Sequence, residues 1–285
     1  MGHLPDRYPI RIGILLGRDL SVIDVPALSY LILHLNRLQS TFEYEILPTP
    51  SDDPLFHELD AKRIVDRQKV KSMLPGFAER YKTNIEEQKE GFNLTEEVCS
   101  HIMVLTLARF DDGYYSFTIE NIGIIALGNW KRVMAPPSLF EFTLTLLLEE
   151  SVLFLNPTLK NIFHYGTKGC LFDFNPYLVD IRYKTLQGYV CSHCRRTLSD
   201  AGFPNLAEEI VRIQSKDWLG KSTDPNSPAC IVSNLGVNLF ITKGLKQTTW
   251  ETFTTTLQQE SIKEFIKLIG AVILAAILIY LGLKE

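Results

Sequence analysis

Positive charge is not in excess over the chain as a whole. Its 285 residues carry 29 Lys+Arg against 33 Asp+Glu, for a formal net charge of −4. Without a chain-wide basic field to displace counterions from phosphates, direct duplex nucleic-acid binding is not expected. Cysteine is scarce: five residues, unevenly spaced, do not make the disulfide framework of a small secreted domain. There is no internal repeat, no low-complexity tract, no P-loop, no Gly-x-Ser-x-Gly elbow and no His-Glu-x-x-His. The first seventeen residues lack the basic segment, apolar run and small-residue cleavage site of a secretory signal. Charged residues at 22% and aromatics at 11% exclude wholesale disorder, and the length is enough to bury a sizeable core.

What is abundant is apolar sequence at the C-terminal end. Leu268 to Leu283 are uncharged throughout, flanked by Lys263, Glu264 and Lys267 before and by Lys284 and Glu285 after. With Ile262, Phe265 and Ile266 added and Lys267 snorkelling, this run approaches the length of a membrane-spanning helix. It shows no polar face, which an interfacial helix needs. Residues 261–285 are therefore expected to be a transmembrane tail anchor in the cell membrane, single-pass, with the body cytoplasmic. Ala271, Ala275 and Gly282 lie on one stripe whose small residues would let such helices pack closely into a homo-oligomer.

The body reads as α/β. Ile10–Leu16 has the β-branched alternation of a strand closed by Gly17; Asp24 caps a helix carrying Leu28, Leu31, Ile32 and Leu35; and Phe42–Leu47 is a second strand stopped by Pro48. This β-α-β opening predicts a mixed sheet layered with helices. Residues 49–57 read as an acidic loop, Ala61–Tyr81 as a charged helix interrupted near Pro75, and 82–97 as an exposed connection. His101–Leu107 and Tyr115–Leu127 read as strands, and a long apolar helix is expected from Pro136-Pro137 to about Leu155. Glu149-Glu150 reads as a solvated helix face, Asp111-Asp112 as a solvated turn, and Lys62, Arg63, Arg67, Lys69 and Lys71 as an ordinary basic face.

The sharpest chemical signal is cysteine spacing. Cys191-Ser192-His193-Cys194 is a C-x2-C pair, a turn whose two thiolates can grip one ion, and zinc closes a tetrahedron with four such soft or imidazole ligands. Cys170 is a natural third ligand and His164 the choice for the fourth, making His164, Cys170, Cys191 and Cys194 a structural zinc site. Unliganded thiols and a redox pair are the competing readings of the same residues. Asp173 and Asp180 are candidate carboxylates to orient the ligands. Cys99 and Cys230 read as core residues.

From His164 to Cys194 the chain resembles the archaemetzincins, whose motif is HExxHxxGxxHCx4CxM followed by a CxxC. His164-Tyr165 through Cys170-Leu171-Phe172 follows the HCx4CxM portion, with Tyr165 in place of a Cys and Phe172 in place of the Met, and Cys191 and Cys194 fall at the CxxC. The resemblance implies a zincin-like mixed sheet layered with helices over about residues 10–200. The catalytic half does not match: the two first His positions hold Phe154 and Thr158, the Glu position Leu155 and the Gly position Asn161. Phe, Leu and Thr can neither hold a metal nor take a proton from water, so the chain is expected to be no enzyme and metalloprotease activity in particular is not expected.

Three segments follow: a degenerate zincin-like domain over 1–200 with its Cys-rich zinc segment at 164–194, an extension over 201–260, and the membrane anchor over 261–285. This organisation resembles membrane effectors of prokaryotic defence systems, including those accompanying short Argonautes. The resulting expectation is a non-catalytic, membrane-anchored effector whose body binds a cytosolic protein partner or signal and whose helix assembles to perturb the membrane. The alternatives are a passive membrane scaffold, or a metal-dependent hydrolase with an unrecognised site near the Cys cluster.

Overall fold

The computed structural model describes residues 9–61, 63–92, 99–131, 134–235 and 249–280. The chain divides into two compact units, Met1–Leu245 and Lys246–Glu285.

In the first unit, β1 (Ile10–Leu16) leads through α1 (Val25–Leu35) to β2 (Phe42–Ile46). Asp24 caps α1 by accepting from the Ala27 amide at 3.0 Å, and Pro26 sits in the first turn where its missing N–H costs nothing. The chain continues through α2 (Pro54–Ala61), β3 (Ile64–Val65), α3 (Arg67–Phe92) and β4 (His101–Thr106). A short β5 (Arg109–Phe110) precedes a hairpin of β6 (Ser116–Ile119) and β7 (Ile122–Ala126). The main sheet runs β2-β1-β4-β7-β6, with β1, β2, β4 and β7 parallel and β6 an antiparallel edge.

Alternating residues feed two layers of core. Ile12, Ile14, Met103, Leu105 and Ile125 pack with α1 and with α4 (Leu139–Leu155) on one face. Leu15, Ile102, Val104 and Ile124 pack with α2 and α3 on the other. Helix α4 starts in a capping box: the Glu141 amide donates to the Ser138 hydroxyl, and the Ser138 amide donates to the Glu141 carboxylate. Beyond it come β8 (His164–Tyr165), β9 (Asp173–Phe174), α5 (Ile181–Gln187), α6 (Ser192–Asp200), α7 (Leu206–Ser215) and α8 (Pro228–Asn234). Leu206, Ala207, Ile210 and Ile213 of α7 and Val232 of α8 join the α4 side of the core, so residues past 200 belong to the same packed body.

Several local expectations differ from the fold. The acidic loop at 49–57 is shorter, because α2 begins at Pro54 with Asp53 accepting from the Leu55 amide. Pro75 does not interrupt α3, which begins at Arg67 and runs on to Phe92. Tyr115–Leu127 is not one strand but a hairpin, turned at Glu120-Asn121 with Glu120 at φ 52.

The second unit contains α9 (Thr249–Tyr280). No helix among the described residues is long and apolar enough to cross a membrane. The expected transmembrane helix, the tail anchor and the cell-membrane location are corrected on this finding. Within the described part of α9 the uncharged residues, Leu268 to Tyr280, cover roughly 20 Å at about 1.5 Å per residue, against a hydrocarbon core of about 30 Å. Extending it N-terminally brings in Lys267, Glu264 and Lys263. The organisational resemblance to membrane effectors, which rested on that span, falls with it. Of the three packing residues assigned to the span, Ala271 is exposed on α9, Ala275 lies on the same helix, and Gly282 lies outside the described residues.

Candidate metal centre and adjoining cleft

Three segments converge on one point. His164 stands on β8, Cys170 bridges to Tyr189, Cys191 caps α6, and Cys194 lies in the first turn of that helix. The tight approach of Cys170 depends on Gly169, at φ 80, where a Cβ would lie 2.7 Å from the Gln187 side chain. The structure brings the donor atoms of His164, Cys170, Cys191 and Cys194 within 4.8 Å of one another. Cys170 Sγ and Cys194 Sγ are 3.9 Å apart, and Cys191 Sγ is 3.4 Å from His164 Nε2. The edges of a tetrahedron with Zn–S near 2.3 Å and Zn–N near 2.0 Å are about 3.5–3.8 Å long. Three thiols and one imidazole at this spacing form a set compatible with zinc.

The surroundings favour the thiolate at Cys170. Contact with Cys194 Sγ and the amides of Cys191 and Phe172 hold the Cys170 thiol down at about 5, against the opposing effect of burial. The same contact with Cys170, together with burial, pushes Cys194 up. A divalent cation bound by these residues would displace the remaining thiol protons.

Asp173, fully buried, supports the ligands from behind. Its Oδ1 lies 3.2 Å from His164 Nδ1, and its Oδ2 accepts from the Cys170 amide at 3.1 Å. Donation from Nδ1 to this oxygen would orient the ring with Nε2 towards the metal. Asp180, the other carboxylate singled out, ends a 3-10 turn ahead of α5 and is not among the clustered donors. Asp173→Asn is expected to weaken zinc affinity by about 10–100-fold in competition with a chromophoric chelator; an unchanged affinity would remove Asp173 from the support of His164.

A cleft of about 450 Å³ opens on the far side of the same short ladder. His164 and Asp173 are paired across β8 and β9 and face the metal cluster, whereas Phe163, Phe174 and Asn175 line the cleft. The opposite wall is β6 with the preceding loop, and the floor is Glu149 and Glu150 of α4. The two glutamates are each only 3% exposed, so they are not the solvated face expected from sequence. Helix α4 is buried on every side from Leu139 to Phe154, and its two acids go in with it.

Both carboxylates are partnered, and both are held above the ordinary range. Burial pushes Glu149 up to about 7, against the opposing pull of Lys184, whose Nζ donates to its Oε2 at 2.5 Å. Burial also raises Glu150, although Ser116 and Thr118 donate to it, the latter at 2.6 Å. Lys184 has no exposed side-chain surface; burial works against its charge, but Glu149 and Tyr115 outweigh burial and raise it. Its Nζ also donates to the Asp173 carbonyl at 3.2 Å, which ties the cleft floor to the residue behind His164. Tyr115 is raised to about 12 by burial and stays protonated.

The other residues singled out from sequence scatter. Asp111 remains exposed, but Asp112 lines the cleft and pairs with Arg67 at 2.5 Å, and the Arg67 guanidinium lies 4.0 Å over the Tyr114 ring. Lys69 pairs with Glu58. Lys62 lies outside the described residues. Cys99 is buried, with its thiol donating to Glu45 at 3.3 Å, and Cys230 is half-buried on α8. The sequence reading missed Glu149, Glu150 and Lys184. An acidic pair embedded in an otherwise apolar helix was the available signal; nothing in the sequence marked Lys184.

No family model matches the chain, and no curated protein matches it. Among solved structures, the chain is similar to archaemetzincin from Methanopyrus kandleri, at 11% identity and a TM-score of 0.43, over 68% of this chain and 95% of that one. The expectation that the chain is no enzyme is overturned. It rested on a missing His-Glu-x-x-His, yet the donor set of a zinc centre is assembled from other residues, and a cleft floored by buried carboxylates adjoins it. Proton-transfer groups and metal ligands need only meet in space, and a linear motif is one way among several to bring them together.

Proposed function

We propose that this protein is a metal-dependent hydrolase acting on an acyl substrate in the cleft above Glu149 and Glu150. The observation that carries the reading is Glu149: a carboxylate buried against a cleft of about 450 Å³ and held near 7, where it can both take and return a proton at neutral pH. In this reading Glu149 takes a proton from a cleft water as that water's oxygen bonds to the acyl carbon, and returns it to the leaving group as the acyl bond breaks. Lys184 stabilises the ionised carboxylate, and the protonated Tyr115 hydroxyl is a donor for developing negative charge. Glu150 is fixed by Thr118 and keeps β6 at its distance from α4. His164, Cys170, Cys191 and Cys194 would hold the metal, which would fix the ladder that forms the wall facing β6.

The test is turnover of fluorogenic peptides and aryl esters by zinc-loaded protein. Glu149→Gln is expected to lower the rate by about 10²–10⁴-fold and to remove a rising pH limb centred near 7. Absence of turnover across both reporter classes, or a Glu149→Gln rate equal to that of the unsubstituted protein, would sink the proposal.

A further inference from the structure

The cleft above Glu149 and Glu150 is lined by three carboxylates, those of Asp112, Glu149 and Glu150, and, among the described residues, by no basic side chain. Two of the three have a counter-charge set behind the wall: Arg67 pairs with Asp112 at 2.5 Å, and the fully buried Lys184 donates to Glu149 at 2.5 Å. Glu150 has hydroxyls instead, accepting from Thr118 at 2.6 Å and from Ser116, and feels Lys184 only through space. Only 3% exposed and held by neutral donors, its carboxylate carries a charge that no contacting cation among the described residues offsets. A second observation is independent of charge. Asn175, also 3% exposed, lines the same cleft. Its Nδ2 donates to the Gly166 carbonyl at 3.2 Å, which fixes the amide end for end, and its Oδ1 is buried and accepts from no group among the described residues. Buried acceptors are seldom left without a donor, so this one calls for a donor carried by a ligand.

We infer that the cleft takes the side-chain ammonium of a lysine-like acyl substrate on Glu150 and Asn175; the acyl part rests on the hydrolase reading, the ammonium part does not. An ammonium has three donors and a compact charge, and it supplies both missing partners: a counter-charge for Glu150 and a donor for Asn175 Oδ1. A guanidinium suits the site less, because Glu150 already accepts from two hydroxyls and does not present a free carboxylate fork. Aromatic rings supply the rest. Tyr115, Phe163 and Phe174 line the cleft, and such rings attract a cation and cover its alkyl stem. The same wall already uses this pairing, where the Arg67 guanidinium lies 4.0 Å over the Tyr114 ring beside Asp112. A cation next to Glu150 also offsets the burial that raises that carboxyl, so it ionises as the ligand arrives. A neutral side chain of the same length would fill the space and leave both groups unanswered.

Titration calorimetry of the zinc-loaded full chain with the Nα-acetyl methylamides of lysine, norleucine and arginine tests this without any turnover. The lysine compound is expected to bind about 10–100-fold more tightly than the norleucine one. Glu150→Gln, which keeps the shape and the bond from Thr118 and removes the charge, is expected to abolish most of that preference. Asn175→Leu, made separately, is expected to reduce it, and zinc content and thermal midpoint report whether each variant is folded. Equal affinity for the lysine and norleucine compounds, arginine bound as tightly as lysine, or a preference that survives both substitutions would each overturn the assignment. Lysine preference in a protein that turns over neither peptides nor esters would end the hydrolase reading and leave this subsite standing; turnover with no lysine preference would do the reverse.

Discussion

Stripping zinc from the loaded protein is expected to lower its thermal midpoint by roughly 10 °C. Free zinc at about 1,000 times its dissociation constant stabilises a folded site by about 4 kcal/mol, and a body of this size shifts by about 2–4 °C per kcal/mol. The effect is concentrated because the cluster joins pieces that have little else in common. Cys170 sits in a loop whose sheet contact is one bridge to Tyr189, β8 and β9 are two residues each, and α6 reaches the core mainly through Cys194 and Leu198. Cys194→Ser is expected to reproduce the loss, since Cys194 is fully buried and its thiol also faces the Ile162 carbonyl at 3.6 Å. Calorimetry with and without chelator, paired with metal analysis, makes the check. A midpoint that stays put while zinc leaves would show that the cluster does not hold this region together. Loosening of the cleft wall at Phe174 is expected to follow, because Phe174 succeeds the metal-facing Asp173 on β9, with Phe163 and Asn175 flanking the two short strands.

Lys184→Met is expected to destabilise the protein by about 3–5 kcal/mol at pH 8, the usual cost of leaving one member of a buried ion pair alone. Lys184 touches no solvent and offsets the burial of Glu149. The loss depends on pH in a defined direction. Glu149 is held at about 7, above its ordinary value of 4.5, so the folded protein favours its protonated form. That contribution is fully present below about pH 4.5 and is lost as pH rises through about 7. Without Lys184 the ionised carboxylate has no counter-charge, so the gap between variant and unsubstituted protein widens above pH 7 and narrows at pH 5. Urea unfolding at pH 5 and pH 8 measures it. Equal losses at both pH values would mean that Lys184 acts through packing and its bond to the Asp173 carbonyl, not through the charge on Glu149.

The amino-acid sequence by itself determined the elements whose causes are local. Alternating β-branched residues set β1 at Ile10–Leu16, Asp24 and Pro26 set the start of α1, and the apolar run after Ser138 set α4. The C-x2-C spacing of Cys191 and Cys194 was equally legible, since a helix start holds both thiols on one side whatever surrounds it. Local pattern was insufficient where partners are distant. Glu149 and Glu150 looked like a wet helix face because sequence does not say which faces of α4 meet other elements; the sheet, α5 and the segment after His164 cover all of them. The run in α9 looked long enough to span a membrane, but no helix among the described residues is long and apolar enough to do so. Only the tertiary structure put Lys184 against Glu149, Asp173 behind His164, and a cleft on the reverse of the metal ladder. The reason is the same in each case: burial and charge compensation are properties of residues 35 or 9 positions apart that meet in space, and the energy that fixes them is absent from any local stretch of chain.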